Sequence, residues 1–525
     1  MRSKLPPSFT NPITILGISI SAISLIVIIF LATLEYFAKE ANPYMGILAF
    51  VMVPSVLMSG VAIAAFGVWR EHRLRRQGRP IERHLPVVDL NNPTHRTGLA
   101  VVSVGALALI LMSSFGSFKA YESMESDEFC GTTCHTPMQP EYTAYQNSPH
   151  AKVGCVQCHI GSGAGWFVRS KLSGSYQLYS VAFNKFPRPI KTPIHNLRPA
   201  QETCEQCHWP SQFFSEKLLS NTYFSSVGQQ NIPWKLDLLV RIGGGNKEAG
   251  PTSGIHWHMN IRNTVTYVAI DEKRQVIPWV RTVGPDGVTH TYRSTETPLT
   301  AADSAAGETR RMDCIDCHNR PAHQYRPPMR MVNHLLTLGW IDPSLPSAKD
   351  LAVHVLEEPY STSKIAADSI RTAIEEYYAG NFPALAKAKQ AQIQRMVTEV
   401  QGLYAKNYFP AMKTDWRNFP DNIGHMYFPG CFRCHDGKHV NEQGKVLSKD
   451  CNTCHSILAQ QAVGSEWRMS LQGVKYQHPV DVGNDWLENN CNECHASPER
   501  RTQEKAKVAR TGKGGPKPAG ARGAP

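Results

Sequence analysis

Fourteen cysteines fall into seven pairs, and each pair is followed at once by a histidine. Six have the form Cys-x-x-Cys-His: Cys155/Cys158/His159, Cys204/Cys207/His208, Cys314/Cys317/His318, Cys431/Cys434/His435, Cys451/Cys454/His455 and Cys491/Cys494/His495. The first, Cys130/Cys134/His135, has one extra residue between its thiols. A disulfide framework does not need this repeated spacing, and a zinc site takes four converging ligands with no reason for a histidine after every pair. Two thiols so spaced can each add to one vinyl group of a haem, and the adjacent histidine is then held against the iron as proximal ligand. The pattern predicts seven covalently bound c-type haems. Only 15 residues separate His435 from Cys451 and 19 separate His135 from Cys155, so those haem pairs are expected to be close neighbours that exchange electrons.

A six-coordinate haem needs a second axial ligand. Of 21 histidines, seven are in motifs and three (His72, His84, His95) precede the motif region, which leaves eleven. His150, His195, His323, His425, His439 and His478 each lie near a motif in turn-rich chain. His256 and His258, two apart on a predicted strand, share a face, so one of them is expected to bind iron and the other to hydrogen-bond nearby; His258 stands in the expected set. His290, His334 and His354 read as structural. Met138, shortly after the first motif, is either a thioether ligand or a packing residue against the porphyrin.

These groups have to be positioned by a chain of two contrasting parts. Residues 13–34, 45–69 and 97–118 are uncharged apolar runs, each long enough to span a bilayer as a helix. The first is too long for a signal-peptide core and lacks a convincing cleavage site. Lys and Arg crowd the 70–96 segment, which places it and the N-terminus in the cytoplasm and everything after about residue 119 in the periplasm of a bacterial inner membrane. The fold expected is three transmembrane helices plus a periplasmic multihaem domain, mainly α and irregular with a small β insert. Its divisions are a membrane domain over 1–118, a haem region over 119–215 with motifs one to three, a β-rich insert over 216–313, motifs four to seven with a helical insert over 314–496, and a disordered basic tail over 497–525. Within the insert, 264–270, 275–283 and 288–292 are strand-like, with a hairpin turn at 285–287. Helices are predicted over 363–378 and 383–404.

The net charge of +12 is not a nucleic-acid signature. Residues 1–12 carry +2, residues 70–97 carry +4 and residues 497–525 carry +6, so the remainder is neutral. Seven haems would each add two propionates, which makes the working domain acidic on balance and favours a positively charged partner.

The segment from Phe129 through Cys130, Cys134, His135 and Met138, then Tyr142 to His150, then Val153 to His159 and Trp166 to Leu172, resembles the membrane-anchored quinol dehydrogenases of the NapC/NirT family. The resemblance covers about residues 119–215, and the size and haem count are similar to the heptahaem inner-membrane cytochromes of metal-respiring bacteria. It implies a quinol dehydrogenase that takes electrons from menaquinol or ubiquinol and passes them to a periplasmic cytochrome or reductase. It further implies a quinol pocket beside the first haem, with Met138 as axial ligand candidate and Lys171 as the basic residue. No acid stands where the family has its carboxylate, and Gln177 is the nearest polar candidate. Trp166, Phe167, Arg169 and Lys171 independently suit a membrane interface, where rings lie at headgroup depth and long cations snorkel outward. The alternative is a terminal haem reductase of the nitrite-reducing type, with one open-coordinate haem.

Overall fold

A computed structural model describes residues 11–37, 53–78, 89–160, 164–194, 198–209, 213, 215–243, 254–259, 263–307 and 309–496. His195, residues 79–88 of the basic segment and the tail 497–525 lie outside the described residues. The chain divides into two compact units: Met1–Cys130 with Gly154–Ala182, and Gly131–Val153 with Phe183–Pro525.

In the first unit the apolar runs form helices α1 (Pro12–Phe37), α2 (Val53–Arg76) and α3 (Pro93–Met124). α1 and α2 are long and apolar enough to cross a membrane. α3 is a single helix of 32 residues that takes in the whole third run. α2 continues past Trp69 to Arg76, so the basic segment begins as helix rather than loop. Arginine is a good helix former, cations in the last turn oppose the negative end of the helix dipole, and Glu71 pairs with Arg75 one turn on at 3.3 Å. α1 and α2 meet through small residues: a Cβ on Gly17 would lie 2.3 Å from the Ala64 nitrogen, and one on Gly67 would lie 2.5 Å from the Thr14 hydroxyl. Without a hydrophobic drive between helices in lipid, such close backbone approach is what allows them to pack.

The second unit contains two antiparallel sheets. One has the order β1 (Lys217–Val227), β2 (Gln230–Val240), β8 (His455–Gln461), β9 (Arg468–Met469). The other runs β6 (Thr309–Arg311), β3 (Thr264–Val268), β4 (Trp279–Val283), β5 (Thr289–Ser294), β7 (His439–Asn441). β3, β4 and β5 fall within or beside the expected strands, and Gly287 takes a left-handed φ of 76° in the expected turn. The β1–β2 hairpin, with two strands of 11 residues, was not legible. Pro233 within β2 argues against a paired strand, yet β8 pairs with β2 only from Lys235 onward, so Pro233 faces no ladder on that side. β8 begins at the sixth motif's histidine itself, so this sheet holds that motif in place.

The main core is helical and aromatic. α4 (Pro328–Thr337), α5 (Ala348–Glu357), α6 (Ser363–Asn381) and α7 (Gln390–Asn407) occupy the helical insert. α6 buries Ala366, Ile370, Ile374 and Tyr378 at four-residue steps, and α7 answers with Ile393, Met396, Val397, Val400 and Tyr404. Each such side chain contributes about 1.5–3 kcal/mol on burial.

Candidate functional site

Among the described residues, at least five of the seven motif histidines face a second histidine across a gap. His208 faces His150 with ring centres 6.1 Å apart, His318 faces His256 at 6.4 Å, and His435 faces His258 at 6.0 Å. His455 faces His425 at 6.2 Å, and His495 faces His478 at 6.1 Å. An imidazole nitrogen binds a metal at about 2 Å and its ring centre lies about 1 Å further back, so two rings on opposite sides of one metal have centres roughly 6 Å apart. All five pairs show that separation. Their interplanar angles range from 6° to 88°, as rings free to turn about a metal–nitrogen axis can do.

The opposite edge of several rings is tied to the backbone. Nδ1 bonds the carbonyl of Pro321 in His150, of Ile242 in His256, of Ile255 in His258 and of Val480 in His478, at 2.7–3.2 Å. His435 is anchored in the same way on Ser448. A carbonyl only accepts, so Nδ1 carries the proton and Nε2 presents its lone pair, the arrangement of a metal-ligating histidine with its outer partner. Burial holds His256, His258, His318 and His455 below the ordinary imidazole pKa, and pushes His425 down to about 4. Neutral rings are what iron requires.

The thiols give the order of the motifs in space. Cys204 contacts Cys314, and Cys431 contacts Cys454, each through a side-chain hydrogen bond. Cys434 feels the charge of Cys317, and Cys491 that of Cys451. Motifs three to seven therefore follow one another in space as they do in sequence. In the first unit the same contact joins Cys130 to Cys155.

The first motif is built differently. Its extra residue is taken up in a π-helical turn, Phe129–Thr133, a form that accommodates one inserted residue. A Cβ on Gly131 would lie 2.2 Å from the Tyr142 ring, so only glycine fits there. Met138 follows His135 on the helix His135–Gln146, three residues on and therefore on a shared face.

Around Cys130 the first unit gathers charge. Asp127, Lys171 and Glu125 all act on its thiol, and Asp127 also accepts the Cys155 backbone N–H at 2.7 Å. Lys171 lies on the helix Ala164–Ala182, where Arg169 stacks over the Trp166 ring at 5.2 Å.

Residues 92–202 match the NapC/NirT cytochrome c family, N-terminal region. Over 486 residues the chain is 42% identical to the cytochrome c-type protein ImcH of Geobacter sulfurreducens, covering 92% of this chain and 95% of that protein. The chain belongs to the NapC/NirT-type multihaem cytochromes c. A second relative, the cytochrome c-type protein NrfH of Wolinella succinogenes, is 33% identical over 95 residues, which is 17% of this chain and 52% of that protein. No solved structure matches. As a NapC/NirT-type cytochrome the chain is a membrane-anchored electron carrier with covalently bound haem, and the facing histidines and paired thiols fit that group.

Three expectations for this cytochrome's site residues need correction. His256 and His258 do not share a face: they lie on a 3-10 turn, Ile255–Met259, whose 120° step sends residues two apart in different directions, so both meet motif histidines. His439 is committed elsewhere. It is 1% exposed, with Nδ1 on Asp436 at 2.9 Å and Nε2 on the Ile277 carbonyl at 2.7 Å, so neither ring nitrogen is directed at a motif. Gln177 bonds Ser173 at 3.3 Å and lies six residues beyond Lys171, roughly 120° around the helix and about 9 Å along it, so the two do not form one group.

His323 has the ligand-type anchor, with Nδ1 3.0 Å from the Glu141 carbonyl, and Arg320 clamps that glutamate at 2.9 and 3.1 Å. His334 and His354 lie on α4 and α5 and His290 on β5, none of them among the facing pairs. Sequence reading missed Glu125 and Asp127. Their signal was position, five and three residues before Cys130 respectively.

Proposed function

We propose that this cytochrome oxidises membrane quinol at its first haem and relays electrons singly through seven haems to a periplasmic cytochrome or reductase. Haem supplies a one-electron iron couple at each motif. Cys130, Cys134, Cys155, Cys158, Cys204, Cys207, Cys314, Cys317, Cys431, Cys434, Cys451, Cys454, Cys491 and Cys494 would hold the groups. The motif histidines would hold the groups too, together with His150, His256, His258, His425 and His478 at five motifs and with His195 and His323 at the other two. The observation that carries the reading is the run of five facing histidine pairs at 6.0–6.4 Å, whose motifs are neighbours in sequence order.

Quinol oxidation releases two electrons and two protons. Lys171 would donate a hydrogen bond to a quinol oxygen, and Glu125 or Asp127 would accept the proton; all three act on Cys130. α1, α2 and α3 would cross the inner membrane with the N-terminus inside and deliver the chain to the periplasm just before the first motif. A terminal reductase needs a haem with one open position, and the facing pairs fill both positions at five motifs.

The test is rapid mixing of the oxidised, fully haem-loaded protein in lipid vesicles with menaquinol or ubiquinol. Reduction of the haem α-band by one of them supports the reading, and no reduction by either overturns it.

A further inference from the structure

We infer that Arg433 sets the potential of two haems at once, as a buried cation lodged between the fourth and fifth motifs that makes both easier to reduce. The inference rests on haem attachment at those motifs.

Arg433 occupies the loop of the fifth motif, between Cys431 and Cys434, and is only 8% exposed. Its guanidinium donates to three carbonyls: Nε to Gly430 at 2.9 Å, Nη1 to Arg274 at 3.1 Å and Nη2 to Asp316 at 2.8 Å. Asp316 lies in the equivalent loop of the fourth motif, between Cys314 and Cys317. One side chain thus joins the two attachment loops directly.

A buried cation normally has a carboxylate partner. Here the nearby carboxylate, that of Asp316, is taken by others: Arg310 at 2.8 Å, Arg274 at 3.4 Å, the Tyr267 hydroxyl at 2.7 Å and the Asp313 N–H at 2.8 Å. Counting Arg274, Arg310 and Arg433 against Asp313 and Asp316 leaves one positive charge. Asp436, the other acid facing this loop, is paired with His439 at 2.9 Å.

Reduction takes iron from Fe(III) to Fe(II) and removes one positive charge from the site, so a fixed cation in a low-dielectric setting favours the reduced form. Two adjacent haems under one cation would accept both electrons of a quinol, one each, while its two protons leave at the membrane.

The test compares Arg433→Gln and Arg433→Lys with the native full-length holoprotein by redox titration of the haem bands. Arg433→Gln should lower two of the seven midpoints by about 59 mV or more, the one-electron equivalent of a tenfold change, and leave five in place; Arg433→Lys should stay near native. A fully loaded Arg433→Gln protein whose titration overlays the native one, or whose shift is spread over all haems, overturns the inference. Should Arg433→Gln not assemble, Asp316→Asn removes the opposite charge and must raise the same two midpoints; no change or a fall overturns it. Masses of the haem peptides carrying Cys314/Cys317 and Cys431/Cys434 report attachment separately, so a failure of the haem reading is distinguishable from a failure of tuning.

Discussion

His256 and His258 stand two residues apart on one 3-10 turn and face different motif histidines, His318 at 6.4 Å and His435 at 6.0 Å. A five-residue segment would thus serve two adjacent haems and fix their spacing through the backbone. Replacing His258 by alanine should open one coordination position at the fifth haem while the fourth stays closed, and His256→Ala should do the reverse. Each variant is expected to show one high-spin ferric haem by electron paramagnetic resonance, with the remaining signals unchanged. Two high-spin haems from one substitution would refute the split assignment.

His439 supplies the control. Both its ring nitrogens are bonded within the protein, so His439→Ala should leave every haem low-spin while lowering stability by about 1–3 kcal/mol for the orphaned Asp436 and Ile277 acceptors. Thermal unfolding and the ferric spin state measure the two effects. A new high-spin haem would restore His439 as a ligand.

At the proposed quinol site the charges around Cys130 make a graded prediction. Lys171→Ala would remove the proposed charge-assisted hydrogen bond to quinol, worth about 1.5–3 kcal/mol, and should cost roughly tenfold to hundredfold in kcat/KM with quinol. Gln177→Ala should have little effect, because Gln177 bonds Ser173 on another part of the helix surface. Reduction by dithionite should be normal in both. Equal losses in the two variants would remove Lys171 from its special place.

Gly131 tests the unusual first motif. A methyl group there meets the Tyr142 ring at 2.2 Å, so Gly131→Ala should cost about 1–3 kcal/mol through overpacking and reduce haem loading at Cys130/Cys134. Gly131→Ala combined with Tyr142→Leu should recover part of the loss. Unchanged thermal stability and loading in the single variant would contradict the packing.

Much of this was legible in the sequence because covalent chemistry imposes a local spacing: the motifs, the proximal histidines and the apolar runs can be read residue by residue. The histidines that face the motifs are harder. They come from elsewhere in the chain, and His150, His425 and His478, which each face a motif histidine, stand near a motif in sequence, while the same criterion selected His439, whose ring turns into the protein. The pair His256/His258 was misread because periodicity cannot separate a strand from a 3-10 turn in five residues. The β1–β2 hairpin was hidden by Pro233, whose tolerance depends on where β8 stops pairing. Arg433 gave no signal of its own, since a charge between two cysteines is informative only once the acceptor of its hydrogen bond, in a motif more than a hundred residues away, is known.

The most direct measurement of the central claim is a count of haems and their ligation in the oxidised, full-length protein. Haem content per chain is read by pyridine haemochrome, and low-spin bis-histidine signals are quantified by electron paramagnetic resonance. The motifs and the facing histidines together predict seven haems, at least five of them low-spin with two histidines. Fewer than five such haems in a fully loaded protein would contradict it.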